Sequence, residues 1–180
     1  CPVTEVSGTI DRRMETLRQA GRNPYFIMGG GHGNPGTHAC ADTYREIAVY
    51  EEQTGISFDY IFHASGTGTT QAGLVSGKLQ ADAEKKESGR CAGGQKIIGI
   101  SIARNEARGR EVVRQSIEDY LGARYEELYR DEALIFTDEY CMGGYGKYTP
   151  EVAQTIEKVM QSDGIPMDTT YVGKAFHGMI

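Results

Sequence analysis

Between Phe58 and His63 the chain runs apolar and aromatic, and it then enters a turn built only of small residues: Ala64, Ser65, Gly66, Thr67, Gly68, Thr69 and Thr70. A helical stretch over 71–79 follows directly. A strand that hands over to a helix through glycine, serine and threonine is the opening of a strand-helix-strand unit, and such units build parallel sheets with helices packed on them. The turn also lies where ligands bind in such folds, at the carboxyl end of a strand.

The rest of the chain repeats the alternation. Ile10, Met14 and Leu17 recur at helical spacing over about residues 5–20, and Gly21 ends the pattern. Residues 24–28, from Pro24 to Met28, read as a short buried strand. Residues 29–36 form a glycine-rich loop, after which Thr37 is placed to cap a helix running through Tyr44, Ile47 and Ala48 to Gly55. Residues 80–95 read as a helix end followed by a flexible connection, centred on Lys85, Lys86 and Glu87. A strand over 96–102 precedes a helix whose apolar face carries Val113, Ile117, Tyr120 and Leu121. A further strand over 133–137 leads to a second glycine loop at 142–146, then to a helix from near Pro150 that bears Val152, Ile156, Val159 and Met160 and stops at Gly164. The expectation is one α/β unit with a parallel sheet.

At 180 residues and 39% hydrophobic content the chain can bury one core of ordinary size. A net charge of −6, with both signs mixed along the length, offers no basic stripe for a nucleic-acid backbone. No apolar run approaches the roughly 20 residues of a membrane-spanning helix. Cys1, Cys40, Cys91 and Cys141 are widely spaced without a paired motif, so a reduced, cytoplasmic setting is expected. An opening on Cys1 and an apolar close over 175–180 read as a piece cut from a longer chain.

Ser65, Gly66, Thr67, Gly68, Thr69 and Thr70 have what a phosphate monoester needs. Glycines let backbone N–H groups approach, hydroxyls donate, and a helix N-terminus supplies positive potential. A purely steric use of the same small residues is the competing reading. No Gly-Lys-Ser/Thr motif follows, and Gly73 stands two residues beyond the place a dinucleotide fingerprint requires, so nucleotide readings weaken. His32, His38 and Cys40 cluster in sequence but lack an obvious fourth ligand, and no metal site is expected. His63 reads as a satisfied core histidine, His177 as a packing residue, and Cys141 as a small buried one.

The stretch 58–74 resembles the phosphate-binding segment of the fold-type-II pyridoxal-phosphate enzymes grouped as D-cysteine desulfhydrases and aminocyclopropane-carboxylate deaminases. Three more segments agree in order: Gly29 to Gly31, Gly144 to Pro150, and Tyr171 to Ile180. The separation of Tyr145 and Tyr171, 171 − 145 = 26 residues, is also similar to that family's. The resemblance implies a three-layer α/β/α sandwich of the tryptophan-synthase-β type, truncated, with pyridoxal 5'-phosphate as cofactor. It places Gly66 to Thr70, with Ser65, on the cofactor phosphate, Tyr145 and Tyr171 towards substrate and cofactor ring, and Val172 beneath the pyridine nitrogen. It implies further that residues 1–180 are one partial unit, mainly the large, cofactor-phosphate-binding domain, with residues 1–55 at the edge of the small domain.

Two departures from the family pattern carry consequences. No lysine precedes Lys78, so the lysine that binds the cofactor covalently is expected upstream, and this chain alone is expected to be inactive. Lys174 matches a family lysine outside that role and reads as a surface residue at a helix start. Val172 stands where the deaminases carry glutamate and the desulfhydrases threonine; valine can neither donate to nor accept from the ring nitrogen. The reaction so implied for an intact parent is α,β-elimination from a small amino acid such as D-cysteine, giving pyruvate, ammonia and sulfide, in a protein expected to be a homodimer. Aminocyclopropane-carboxylate deamination is the alternative within the family. A non-catalytic phosphate-binding module or an inert structural piece would give no reason for the two tyrosines to converge on the glycine turn.

Overall fold

The computed structural model describes residues 3–180, so Cys1 lies outside the described residues. Its centre is a parallel sheet of three strands, β1 (Tyr60–Ser65), β2 (Lys96–Ser101) and β3 (Ile135–Thr137), in that spatial order. Tyr60 pairs with Lys96 and Ser65 with Ser101, while Ile98 pairs with Ile135. The helices in chain order are α1 (Val6–Gln19), α2 (Asn34–Thr54), α3 (Thr69–Glu87), α4 (Glu106–Leu121), α5 (Tyr125–Leu128), α6 (Pro150–Asp163) and α7 (Val172–Met179).

Helices α3 and α4 pack on one face of the sheet, and α2 packs on both of them. Ile97, Leu74, Val75, Val113, Ile117 and Leu134 meet there as the main core. Because side chains alternate across a strand, Ile98 and Ile100 face the other side, where α7 lies over β1 and β2 and is backed by α6. The result is the three-layer α/β/α sandwich expected from the sequence. The layering leaves the carboxyl ends of β1 and β2 between the start of α3 and the start of α7, and the site forms there.

Gly73 and Gly77 fix the contact between α2 and α3. A Cβ at Gly73 would lie 2.2 Å from Cys40 Cβ and 2.5 Å from the Thr37 carbonyl oxygen, and one at Gly77 would lie 2.6 Å from the Ala41 carbonyl oxygen. The off-register glycine of the turn is thus a helix-packing residue.

Three local expectations need correction. Residues 24–28 form no strand, and Tyr25 and Ile27 are 80% and 72% exposed; among the described residues no neighbouring strand takes up their backbone groups, and an unpaired strand is not stable in water. Thr37 does not cap α2. The helix begins a turn earlier at Asn34, with Pro35 in its first turn, and the Thr37 hydroxyl donates back to the Gly33 carbonyl instead. Helix α3 does not end near residue 80 but runs on to Glu87, helped by the Lys78–Asp82 pair one turn apart, whose two members also bond the Gly93 carbonyl and N–H.

Candidate active site

The turn after β1 rises into α3 at Gly68, whose φ of 94° is left-handed and suits glycine. No side chain caps α3, so the N–H groups of its first turn point outward without an intrahelical partner. Gly30 in the preceding glycine loop approaches so closely that a Cβ there would lie 2.6 Å from the Thr67 methyl carbon. The Thr67 and Thr69 hydroxyls are 3.2 Å apart, and His32 Nδ1 lies 3.4 Å from the Thr69 oxygen.

Above this turn is a cavity of about 480 Å³. Gly66, Thr67 and Thr70 line it from the turn, Ile102, Ala103 and Arg104 from the end of β2, and Tyr145 and Tyr171 from the other side. Arg104 brings the only charged side chain of that lining. The Tyr145 and Tyr171 hydroxyls are hydrogen-bonded at 2.8 Å, with their rings edge to face at 80°. The hydrogen bond to Tyr145 raises the Tyr171 pKa above its ordinary value, and partial desolvation and the nearby Asp168 charge act in the same direction.

Each tyrosine is placed by its own device. Tyr145 follows a tight turn in which Gly143 and Gly144 adopt positive φ. Tyr171 is the residue before α7, and Asp168 organises that start: its carboxylate accepts from the N–H groups of Thr170, Tyr171 and Val172 at 2.7, 2.6 and 3.0 Å. Burial pushes the Asp168 carboxyl up, but these backbone donors, with its own N–H, together outweigh it and hold the pKa below the usual carboxylate range.

Lys174 corrects the expectation of a surface residue. It is fully buried, and its Nζ donates to the carbonyls of Ile102, Cys141 and Gly144 at 3.2, 2.7 and 2.8 Å. With all three ammonium protons directed at backbone oxygens it does not face the cavity. Ser65 and Thr69 are buried beneath the turn rather than lining the cavity, and the Ser65 hydroxyl has no partner. Val172 lies beside Tyr171 with half its surface exposed and outside the lining. Of the histidines, His38 bonds the Tyr120 hydroxyl and His177 bonds Thr155, each at 2.9 Å. His63 is only half satisfied, since Nδ1 bonds the Ala64 carbonyl and Nε2 has no partner.

The donor set fits a phosphate monoester. An uncapped helix start and a glycine at a left-handed position occur together at the cavity floor, with the orphaned Ser65 hydroxyl buried just beneath the turn. Sequence reasoning missed Gly30, Ile102, Ala103, Arg104 and Asp168. Asp168 carried a signal, an acidic residue immediately before two threonines and a helix start, whereas Arg104 is recognisable only once β2 brings it beside β1.

Residues 2–180 match the family described as pyridoxal-phosphate dependent enzyme. Among curated proteins, the chain is 32% identical to a putative 1-aminocyclopropane-1-carboxylate deaminase of Pyrococcus furiosus, over 91% of this chain and 46% of that protein. It is 35% identical to the putative deaminase of Pyrococcus horikoshii (92% and 46%) and 33% identical to the 1-aminocyclopropane-1-carboxylate deaminase of Burkholderia vietnamiensis (93% and 47%). The chain thus spans about half the length of the curated relatives it matches. Among solved structures, an ACC deaminase homologue superimposes with a TM-score of 0.80 at 31% identity, over 97% of this chain and 49% of that one. The glycine cradle, the uncapped helix and the match over nearly the whole chain lead to one conclusion: this chain belongs to the family of pyridoxal-phosphate-dependent enzymes of fold type II.

Proposed function

We propose that the protein to which this chain belongs deaminates a small amino acid by α,β-elimination of the D-cysteine desulfhydrase kind. Cysteine and one water then yield pyruvate, ammonia and hydrogen sulfide. The observation that carries the reading is the meeting of the Tyr145 and Tyr171 hydroxyls, 2.8 Å apart, at a cavity shared with Gly66, Thr67 and Thr70. A bare phosphate-binding module would have no use for two phenols at that position.

Pyridoxal phosphate, when bound, supplies an aldehyde that condenses with the substrate amine and a ring that draws electrons from its Cα. This chain supplies the rest of the surroundings. The N–H groups and hydroxyls from Gly66 to Thr70 would hold the phosphate, and Arg104 offers a cationic donor at the cavity wall. Tyr171 keeps its proton at neutral pH, and its hydroxyl, bonded to that of Tyr145, would position the substrate or exchange a proton with it through the pair. The lack of a glutamate at position 172 weighs against ring opening, since valine would offer a ring nitrogen neither donor nor acceptor, although Val172 stands outside the cavity lining. The names of the relatives favour aminocyclopropane-carboxylate deamination as the second reading. In the full-length protein this chain would form mainly the cofactor-phosphate domain, with residues 1–55 at the edge of the smaller one, in a cytoplasmic homodimer.

Two assays test this. The full-length protein should release sulfide from D-cysteine; ammonia released from 1-aminocyclopropane-1-carboxylate with no sulfide from D-cysteine would select the second reading. The 180-residue chain should bind pyridoxal phosphate in competition with inorganic phosphate but give no borohydride-trapped adduct at Lys174. An adduct there would overturn the expectation that this chain alone is inactive, and absence of binding would overturn the cradle.

A further inference from the structure

Lys174 is a buried cation with no evident chemical use, and its three contacts are its most informative property. A lysine taken wholly out of water is costly unless each ammonium proton meets an acceptor. Here each does, and the acceptors are neutral backbone carbonyls rather than a carboxylate, so Lys174 forms no ion pair through these contacts. Burial pushes its pKa below the ordinary value, as expected for an ammonium held without a counter-charge.

The three carbonyls come from chain segments that also meet elsewhere, through Tyr140 edge-on to His177 of α7 and through Asp138, which accepts the Glu106 N–H, but Lys174 is the one side chain that bonds all three. Ile102 follows β2 and lines the cavity. Cys141 and Gly144 bracket the glycine turn that delivers Tyr145, a turn of two positive-φ glycines with little side-chain packing of its own. Within that turn the Gly144 N–H donates to the Cys141 carbonyl at 3.1 Å, so this oxygen serves both the turn and the ammonium. Lys174 itself stands three residues beyond Tyr171, in the first turn of α7.

We propose that Lys174 is a positioning residue for the tyrosine pair: its ammonium ties the end of β2 and the 141–144 turn to the start of α7, and so brings the Tyr145 hydroxyl onto that of Tyr171. The geometry makes this economical. Without the tie, the turn keeps its internal hydrogen bonds and the contact of neighbouring Tyr140 with His177, but the stretch from Cys141 to Gly144 loses its direct link to α7, and Tyr145, 64% exposed, is held at the cavity by its bond to Tyr171. The significance for catalysis rests on the reading of the two phenols as working groups, but the positioning itself does not require it.

The test therefore uses the chain without cofactor or substrate, so that its failure leaves the proposed reaction untouched. Tyrosine carbons bearing the hydroxyl are isotopically labelled, and the signals of Tyr145 and Tyr171 are assigned by Tyr145→Phe and Tyr171→Phe. In the unsubstituted chain Tyr171 should titrate above an ordinary tyrosine, and most of this elevation should be lost in Tyr145→Phe, the remainder coming from desolvation and the Asp168 charge. Lys174→Met, of similar length and without charge or donors, should bring the Tyr171 midpoint back towards the ordinary value while cooperative unfolding persists. Lys174→Gln, which keeps two N–H donors, should give an intermediate midpoint and serves if the methionine variant does not fold. An unchanged Tyr171 titration in either folded variant overturns the proposal. Loss of the cooperative fold in both would make Lys174 a residue of the core rather than of the tyrosine pair, and would equally overturn it.

Discussion

The Asp168 carboxylate accepts the backbone N–H of Tyr171 at 2.6 Å, so the residue that starts α7 and the phenol at the cavity are set by one side chain. Removing it in Asp168→Ala exposes three N–H groups and should cost about 1 kcal/mol of stability, the usual loss at a helix start. The same variant should loosen Tyr171. The depressed carboxyl pKa gives the acid dependence its sign: the stabilisation is complete above the ordinary carboxylate pKa and is lost as pH falls through the lower folded value. Urea unfolding of both proteins at neutral pH and near pH 3 checks this, with the difference between them shrinking at the lower pH.

Gly68 and Gly89 both adopt positive φ, 94° and 71°, yet only Gly68 adjoins the proposed phosphate cradle. Alanine at either position should be strained by roughly 1 kcal/mol or more. At Gly68 the added Cβ would also lie 3.1 Å from the Val113 side chain, so the turn or that side chain must give, whereas at Gly89 it meets open space. Isothermal titration with pyridoxal phosphate should show weakened binding in Gly68→Ala and unchanged binding in Gly89→Ala. Equal effects would mean that the cradle does not lie at this turn.

Much of this arrangement was legible in the sequence because it is local. The passage from Tyr60 through Gly68 into α3 is written in adjacent residues, and so are the stops at Gly55 and Gly164, both with left-handed backbone. What was not legible depends on partners far along the chain. Residues 24–28 have a strand's composition but no strand to pair with, and composition cannot report a missing neighbour. Lys174 has the composition of a surface residue, and only the convergence of Ile102, Cys141 and Gly144 makes burial tolerable. The tyrosine pair was legible through a spacing matched to a family; from the local sequence each ring read as an ordinary aromatic.

The contact of α2 with α3 rests on Gly73 and Gly77, four residues apart on one helix face, and was not read from the sequence because its meaning required the partner helix. Gly73→Ala would drive a methyl against Cys40 Cβ and the Thr37 carbonyl, and backbone cannot yield as a flexible side chain can. Overpacking of this kind costs roughly 1–3 kcal/mol. Denaturant midpoints should fall accordingly for Gly73→Ala, and by clearly less for Gly93→Ala, where the added Cβ meets nothing within 4 Å. A Gly73→Ala variant as stable as the parent would mean the two helices can separate freely, and with them the wall behind the phosphate turn.

His63 gives a second acid dependence, in a different pH range from that of Asp168. Burial in β1 pushes its pKa down from 6.5 to about 4, while the hydrogen bond to the Ala64 carbonyl opposes the shift, so the ring is neutral in the folded chain at pH 7. Between those two values the unfolded chain binds the proton and the folded chain does not, so stability must fall as pH drops from 6.5 towards 4. The loss for such a shift is about 3 kcal/mol at most. Thermal unfolding followed across that range should show a falling midpoint in the parent chain and a flatter profile in His63→Gln, which has no charge to gain. Equal slopes in the two proteins would place the acid sensitivity elsewhere and would mean that His63 titrates as an ordinary surface histidine.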